Sequence, residues 1–519
     1  MRIRGATGLL VAALVAVATT LMPFAVQART VDPDAGVRTR PMSSEMGEPG
    51  NAVDSVAAGP VAQLPPSNAF VPVVRNGAAD PTFGGTWRTG IQVMNLEPQV
   101  TVSVRVFFLR GDGAQIAVAG PVRIAPFRSH TFFGAGLGVE EGFSGAAVVL
   151  AENGFVKVIV NQLVEDRGMA ASYNGISETR RQVFLPSVEL AEATVAAGAQ
   201  SSIHIQNAGT QPLQQLNLTL SGTTATGDAV ATTIDLGAGL QPGASYELTP
   251  RRLSELTRLS SFSGSAVVTT EQAVAVVTNH GTGQWLVSSP GSVQGSGFLN
   301  APLVQHLNSG FESVLFFQNV GSAETTATLR IFSSLTGAQV AEVTRTLAPG
   351  ARVRFASGEL IRTTGFVGSA TVQAGPGGSV AGIVRQINPV SGQASDYVML
   401  GREFASAPLI APLVQTANSG WSSGIQVQNV GDTEAIVTLR VTDPNGIDVT
   451  TSDSVRSILP GRSETFFPVS DPGRPMVGSA IISGPPTGAR LIGIVNQLNT
   501  GTGPVDFFTT YELVDTARG

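Results

Sequence analysis

The chain has 519 residues, of which 13% are charged and 6% aromatic, with a formal net charge of −6 and no cysteine. So sparse and mildly acidic a charge gives phosphate backbones and anionic lipid headgroups nothing to hold, which argues against nucleic acid and membrane-surface partners. The absence of cysteine excludes a disulfide framework and a lipid-modified cysteine anchor.

Residues 1–28 read as a secretory signal peptide. Arg2 and Arg4 supply the positive end, and residues 9–21 form an apolar run. That run is about a dozen residues, short of the roughly 20 needed to span a bilayer. Val26-Gln27-Ala28 offers small side chains at the cleavage positions, so cleavage is expected after Ala28. No later stretch reaches membrane length, and no membrane span is expected after cleavage. Residues 29–68 are rich in Pro, Gly, Ser and acidic residues without hydrophobic periodicity, which predicts a disordered leader.

From there the chain repeats itself four times. The segment Gly90-Ile91-Gln92-Val93-Met94-Asn95 returns as Ser202-Ile203-His204-Ile205-Gln206-Asn207, Val314-Leu315-Phe316-Phe317-Gln318-Asn319 and Gly424-Ile425-Gln426-Val427-Gln428-Asn429. The terminal Asn advances by 112, 112 and 110 positions (207−95, 319−207, 429−319). That period is the size of a small domain, so the chain divides into repeats 69–182, 183–297, 298–407 and 408–519.

Each repeat opens on an apolar strand holding a proline: Pro72, Pro186, Pro302 and Pro412. Such a residue costs a ladder hydrogen bond and predicts an edge or entry strand that marks the start of a domain. The next strands alternate with period two, as in Val437-Thr438-Leu439-Arg440-Val441, which predicts antiparallel sheets with one apolar and one wet face. Hairpin turns follow at Gly111-Asp112-Gly113, Thr226-Gly227-Asp228, Thr336-Gly337 and Asp443-Pro444-Asn445-Gly446. Then come proline turns at Pro126, Pro242, Pro349 and Pro460, and small-residue strand openings at 143–146, 262–265, 366–369 and 477–479. The last strong strand carries Asn161-Gln162, Asn279-His280, Arg385-Gln386 or Asn496-Gln497, read as amides capping strand ends or repeat junctions. Seven or eight short strands in about 110 residues define an all-β chain, a tandem array of four Ig-like, Greek-key antiparallel β-sandwich domains. Four such domains in a row predict a rod about 150 Å long.

The Asn207-Ala208-Gly209, Asn319-Val320-Gly321 and Asn429-Val430-Gly431 turns, followed by the alternating strand and its glycine turn, resemble bacterial extracellular immunoglobulin-like repeats of the CARDB type. Repeat 1 departs from the pattern with Asn95-Leu96-Glu97. The resemblance implies structural or adhesive surface modules.

Convergent catalytic groups are not evident. His130, His204, His280 and His306 occupy four different repeat positions, and no nucleophile–base or metal-ligand spacing accompanies them. No catalytic, cofactor or metal site is expected, and a non-enzymatic chain follows. His204 falls at an outward strand position held by Gln92 and Gln426 elsewhere, which reads as polar surface. Arg110-Gly111-Asp112 reads as a turn rather than an adhesive tripeptide. An aromatic residue stands eight positions before the repeat Asn as Trp87, Phe311 and Trp421, with Ala199 in repeat 2. These three are the candidate ligand or partner contacts, against a bland reading as plugs at the start of the second strand.

The expected function is a secreted surface, matrix or adhesive spacer at the cell surface, the exterior or the periplasm. Its expected partners are cell-envelope or extracellular proteins or polysaccharide, and edge strands permit self-association. The alternative is a carbohydrate- or polymer-binding module array.

Overall fold

The structure is a computed structural model that describes residues 69–191, 198–485, 488–499 and 507–515. The expected signal peptide and leader lie outside the described residues. Repeat 4 shows the plan. One sheet runs Val455–Ile458, Ala435–Thr442, Met476–Ser483, Leu409–Thr416, Val514–Asp515. The other runs Ser463–Phe466, Trp421–Asn429, Leu491–Asn499, Phe508–Glu512. Neighbouring strands in both are antiparallel. The alternating residues Ile425, Val427, Leu439, Val441 and Val495 meet in one core with Phe466. Repeat 3 has the same two sheets of five and four strands. In repeat 2 the strand Phe262–Gly281 runs through both sheets and joins them, and in repeat 1 the opening strand Ala69–Ala79 pairs on to Thr86–Asn95 with the same result.

The recurring Asn has a structural explanation. Asn319 Nδ2 donates to the carbonyls of Ala323 and Leu347, while its Oδ1 accepts from the Gly321 amide. Asn95, Asn207 and Asn429 repeat the pattern, with Glu97 supplying the amide in repeat 1. Each amide is buried, ties three segments together and satisfies backbone groups that would otherwise be orphaned. Among the described residues, repeat 2 alone inserts a helix of eight residues, α1 (Pro250–Thr257), where Thr249 caps the Arg252 amide and Pro250 takes the first turn. Nothing in the strand periodicity announces it.

The expected rod does not form. The opening strand of each repeat packs on the second strand of the following one, and on the long strand that bears the Asn-Gln dipeptide. Ala69–Ala79 meets Gln200–Asn207 and Phe262–Gly281, and Arg180–Leu190 meets Glu312–Asn319 and Val380–Asn388. Phe298–His306 meets Trp421–Asn429 and Leu491–Asn499. Leu409–Thr416 then meets Thr86–Asn95 and Val156–Val164 of repeat 1, and the circuit closes. A head-to-tail interface used repeatedly makes either an open filament or a ring, according to its rotation. Here four uses return to the start.

The predicted wet face is the reason. Gln92, His204, Gln206, Phe316, Gln318, Gln426 and Gln428 are all buried, because the opening strand of the preceding repeat around the ring covers them. Gln206 Nε2 reaches the carbonyl of Ala147 in repeat 1, and Gln318 Nε2 reaches that of Ala266 in repeat 2. Ser265 donates to Gly350 and Ser369 to Gly461, so the small-residue opening of one repeat docks on the proline turn of the next. In the seam between repeats 4 and 1, Met94 replaces the glutamine and packs with Leu96, Ile410 and Val514. Of the polar side chains expected to face water, Gln92, Gln206 and Gln318 hydrogen-bond across a seam, while His204, Gln426 and Gln428 bond within their own repeats.

Candidate functional site

The three candidate aromatics lie at or beside these seams. Trp87 is 1% exposed, packed with Phe83, Val164, Met169 and Leu286 of repeat 2. Its indole N–H donates to the Gly84 carbonyl. The Arg75 guanidinium lies 5.0 Å over its ring while bridging to Asp80 and Glu247, the latter from repeat 2. Trp87 therefore offers no face to a ligand. Phe311 is half-buried with its ring 5.0 Å from Phe508 of repeat 4, and Trp421 is half-buried 5.8 Å from Phe507. Trp285, which the spacing did not single out, stacks on His280 and carries Arg385 of repeat 3 over its ring. The Arg110-Gly111-Asp112 triplet forms a hairpin tip. Arg110 pairs with Glu140, Asp112 accepts from the Ala114 amide, and Gly113 lies against Gln241 of repeat 2.

The histidines stay apart. His204 and His280 are buried, and the outward surface position expected for His204 is corrected by the covering strand. His204 bonds to the Ser202 hydroxyl, and burial, then the Arg75 charge, lowers its pKa to about 3. His280 bonds to Ser201 and is held well below the usual range by burial, then by Arg385. Both folded values lie below the ordinary one near 6.5. Their share of stability is thus complete above about pH 6.5 and is lost as pH falls toward the folded values. Between about pH 6 and 4 His204 alone should remove about 1.4 kcal/mol of unfolding free energy per pH unit. The variant His204→Gln, which installs the residue of repeats 1 and 4, should flatten that slope in urea titrations. An unchanged slope would show that His204 titrates freely in the fold.

The four closing strands Met169–Asn174, Leu286–Pro290, Gln393–Val398 and Phe508–Glu512 contact one another in cyclic order around the middle of the ring. Amides link them. Gln162 and Asn279 exchange hydrogen bonds across repeats 1 and 2, as do Gln386 and Asn496 across repeats 3 and 4. Between repeats 2 and 3 the same positions hold His280 and Arg385. There Arg385 grips Asp396 through two bonds of 2.8 Å, and Ser289 donates to the same carboxylate. The Asn-Gln dipeptides thus sit at repeat junctions.

Where the closing strands end, a cavity of about 250 Å³ opens. All four repeats line it. The strand register puts Asn174, Pro290, Val398 and Glu512 at one equivalent position, and Lys157, Ala275, Ala381 and Ile492 at another. The polar members, Lys157, Asn174 and Glu512, come from repeats 1 and 4. Repeats 2 and 3 contribute a largely apolar wall with Val293, Val398, Met399 and Phe404. Glu512 accepts from the Val398 amide and from Asn174 Nδ2, and burial raises its pKa. Periodicity could not locate this cavity, since it arises only when the ring closes.

No family model matches the chain, and no curated protein matches it. Among solved structures, a similar chain is described as a tetra-tandem repeat in the extending region of a large adhesion protein. It is 14% identical, with 86% of this chain and 98% of that one covered, at a TM-score of 0.09. So low a TM-score carries no argument about fold or role. The fold defines the class as an all-β chain of tandem antiparallel sheets.

Proposed function

We propose that this protein is a secreted, non-enzymatic surface, matrix or adhesive protein that works as one rigid four-repeat ring rather than as an extended spacer. The observation that carries the reading is the fourth seam, where Gln92 and Ser129 of repeat 1 both donate to the Pro412 carbonyl of repeat 4. A closed circuit fixes every hairpin tip relative to the others, which suits presentation of several weak contacts to one envelope or matrix partner. Support for a non-catalytic role comes from the polar groups at the middle of the ring, which mostly bond to one another across the junctions.

The test is binding of the chain from Arg29 to its producer's envelope fraction and to a polysaccharide panel. The double variant Phe311→Ala, Trp421→Ala runs beside it. Envelope binding of equal strength in both is expected. Polysaccharide binding lost in the variant would instead support the alternative of a carbohydrate-binding array, and no envelope binding by either chain would sink the surface role.

A further inference from the structure

The cavity at the end of the closing strands marks a break in the fourfold pattern of the backbone. In three repeats the residue six places before the repeat proline pairs with the strand that bears the Asn-Gln dipeptide or its counterpart, at the residue facing the repeat Asn. Arg180 (186−6) pairs with Val274, Ser296 (302−6) with Val380 and Ser406 (412−6) with Leu491. Ser296 and Val380 exchange two backbone bonds of 2.9 Å, and Ser406 and Leu491 exchange two of 3.0 and 3.1 Å. In repeat 1 the corresponding place is Val156, opposite Asn95. Among the described residues no incoming segment pairs with Val156. The residue eight places before the repeat proline lines the cavity in the same three repeats, as Glu178, Gln294 and Phe404. Three incoming segments thus border a space where the ring's symmetry calls for four. The residue before Val156 differs as well. Its counterpart Ser379 lies against the incoming segment of repeat 3, since a Cβ built on Gly295 would run into Ser379 Oγ. Repeat 1 places Phe155 there, 55% exposed, an aromatic ring at the side of the empty lane.

We infer that this lane is the seat of the chain's own residues 63–68, Gln63-Leu64-Pro65-Pro66-Ser67-Asn68, which add an edge strand along Val156 and fill the cavity with Leu64. They lead directly into Ala69, and the next residue, Phe70, is bridged to Ile176 on the cavity wall. Being tethered at the lane, they reach it at high effective concentration. Six places before Pro72, Pro66 stands where Arg180, Ser296 and Ser406 stand, and eight places before it Leu64 stands where Glu178, Gln294 and Phe404 stand. Pro66 has no N–H to give, so the Val156 N–H donates to the Pro66 carbonyl without a return bond, which is how proline is accommodated at a sheet edge. Two successive prolines hold the segment extended before it docks, which lowers the cost of ordering it. Leu64 meets the apolar wall of Val293, Val398 and Met399, and Pro65 covers Phe155. This inference goes beyond the surface role, since it fixes the pole of the ring from which the rest of the leader departs.

The experiment compares the chain from Arg29 with its variant Leu64→Asp, a substitution outside every described core. Two rates are read by mass spectrometry at neutral pH: deuterium exchange of the Val156 amide, and acetylation of Lys157 by an N-hydroxysuccinimide ester. Lys157 lines the cavity and is the one lysine of the sequence, so after digestion the label reports a single side chain. Both rates are expected to be at least about tenfold slower in the unaltered chain than in the variant. Equal rates in the two chains would overturn the inference. A Val156 amide that exchanges equally fast in both chains while Lys157 is shielded would overturn the strand pairing and the inference with it. Protection that fades as the protein is diluted would assign the lane to the leader of a second copy, and would likewise overturn it.

Discussion

Replacing Asp396 by Ala should cost about 3–5 kcal/mol of unfolding free energy, the range for breaking a buried ion pair from one side. Asp396 is buried and accepts two bonds from Arg385 as well as one from Ser289 of repeat 2. Removing it leaves a guanidinium clamped between the rings of Trp285 and Phe316, at 5.5 and 5.4 Å, with no counter-charge. The double variant Asp396→Ala, Arg385→Met should be the more stable of the two, since the orphaned charge leaves with its partner. Urea unfolding of both variants and of Arg385→Met alone completes the cycle. Additive losses, with no coupling between the two positions, would show that the pair is not the unit that holds repeats 2 and 3 together.

The second large effect concerns dimensions in solution. Small-angle scattering from a chain beginning at Ala69 should give a radius of gyration near 22 Å, the value for about 450 residues in one compact body. Four such domains in a rod about 150 Å long would instead give about 43 Å, so the two arrangements differ nearly twofold. Opening the ring at the seam between repeats 4 and 1 should move the value upward. Met94→Glu and Ile410→Glu together would place like charges inside the apolar cluster that closes that seam. A wild-type radius near the rod value would refute ring closure outright.

The strands were legible in the sequence because their alternation is a local property. Ile425 and Val427 face the core as their period demands, and the hairpin and proline turns fall where glycine and proline put them. The repeat length was legible as well. What escaped was the use of the second face of each sheet. A glutamine at the position of Gln206 or Gln318 looks the same to a sequence reader whether it faces water or donates to a neighbouring carbonyl. Local periodicity reports that a residue is polar, and only the neighbouring repeat decides what satisfies it. Trp87 likewise carried two readings, a candidate contact and a plug at the start of the second strand, and its ring fills the junction with repeat 2. The repeated Asn was visible as a motif, yet its threefold bonding was not, because Ala323 and Leu347 approach Asn319 only in the folded repeat. Lys157 and Glu512 lie far apart in the chain, and no spacing rule links residues that meet at the end of a ring.

Closure also constrains how such a gene can change. A linear array can gain or lose one unit at a time, because each unit touches only its neighbours and the ends stay free. Here the opening strand of repeat 4 already occupies the surface of repeat 1. A fifth copy would have no place in the circuit, and loss of one would leave an opening strand and its amide-bearing partner face uncovered at the same moment. The copy number is therefore set by the turn between adjacent repeats, about a quarter-circle each, and duplication within this chain should be purged where it is tolerated in open arrays.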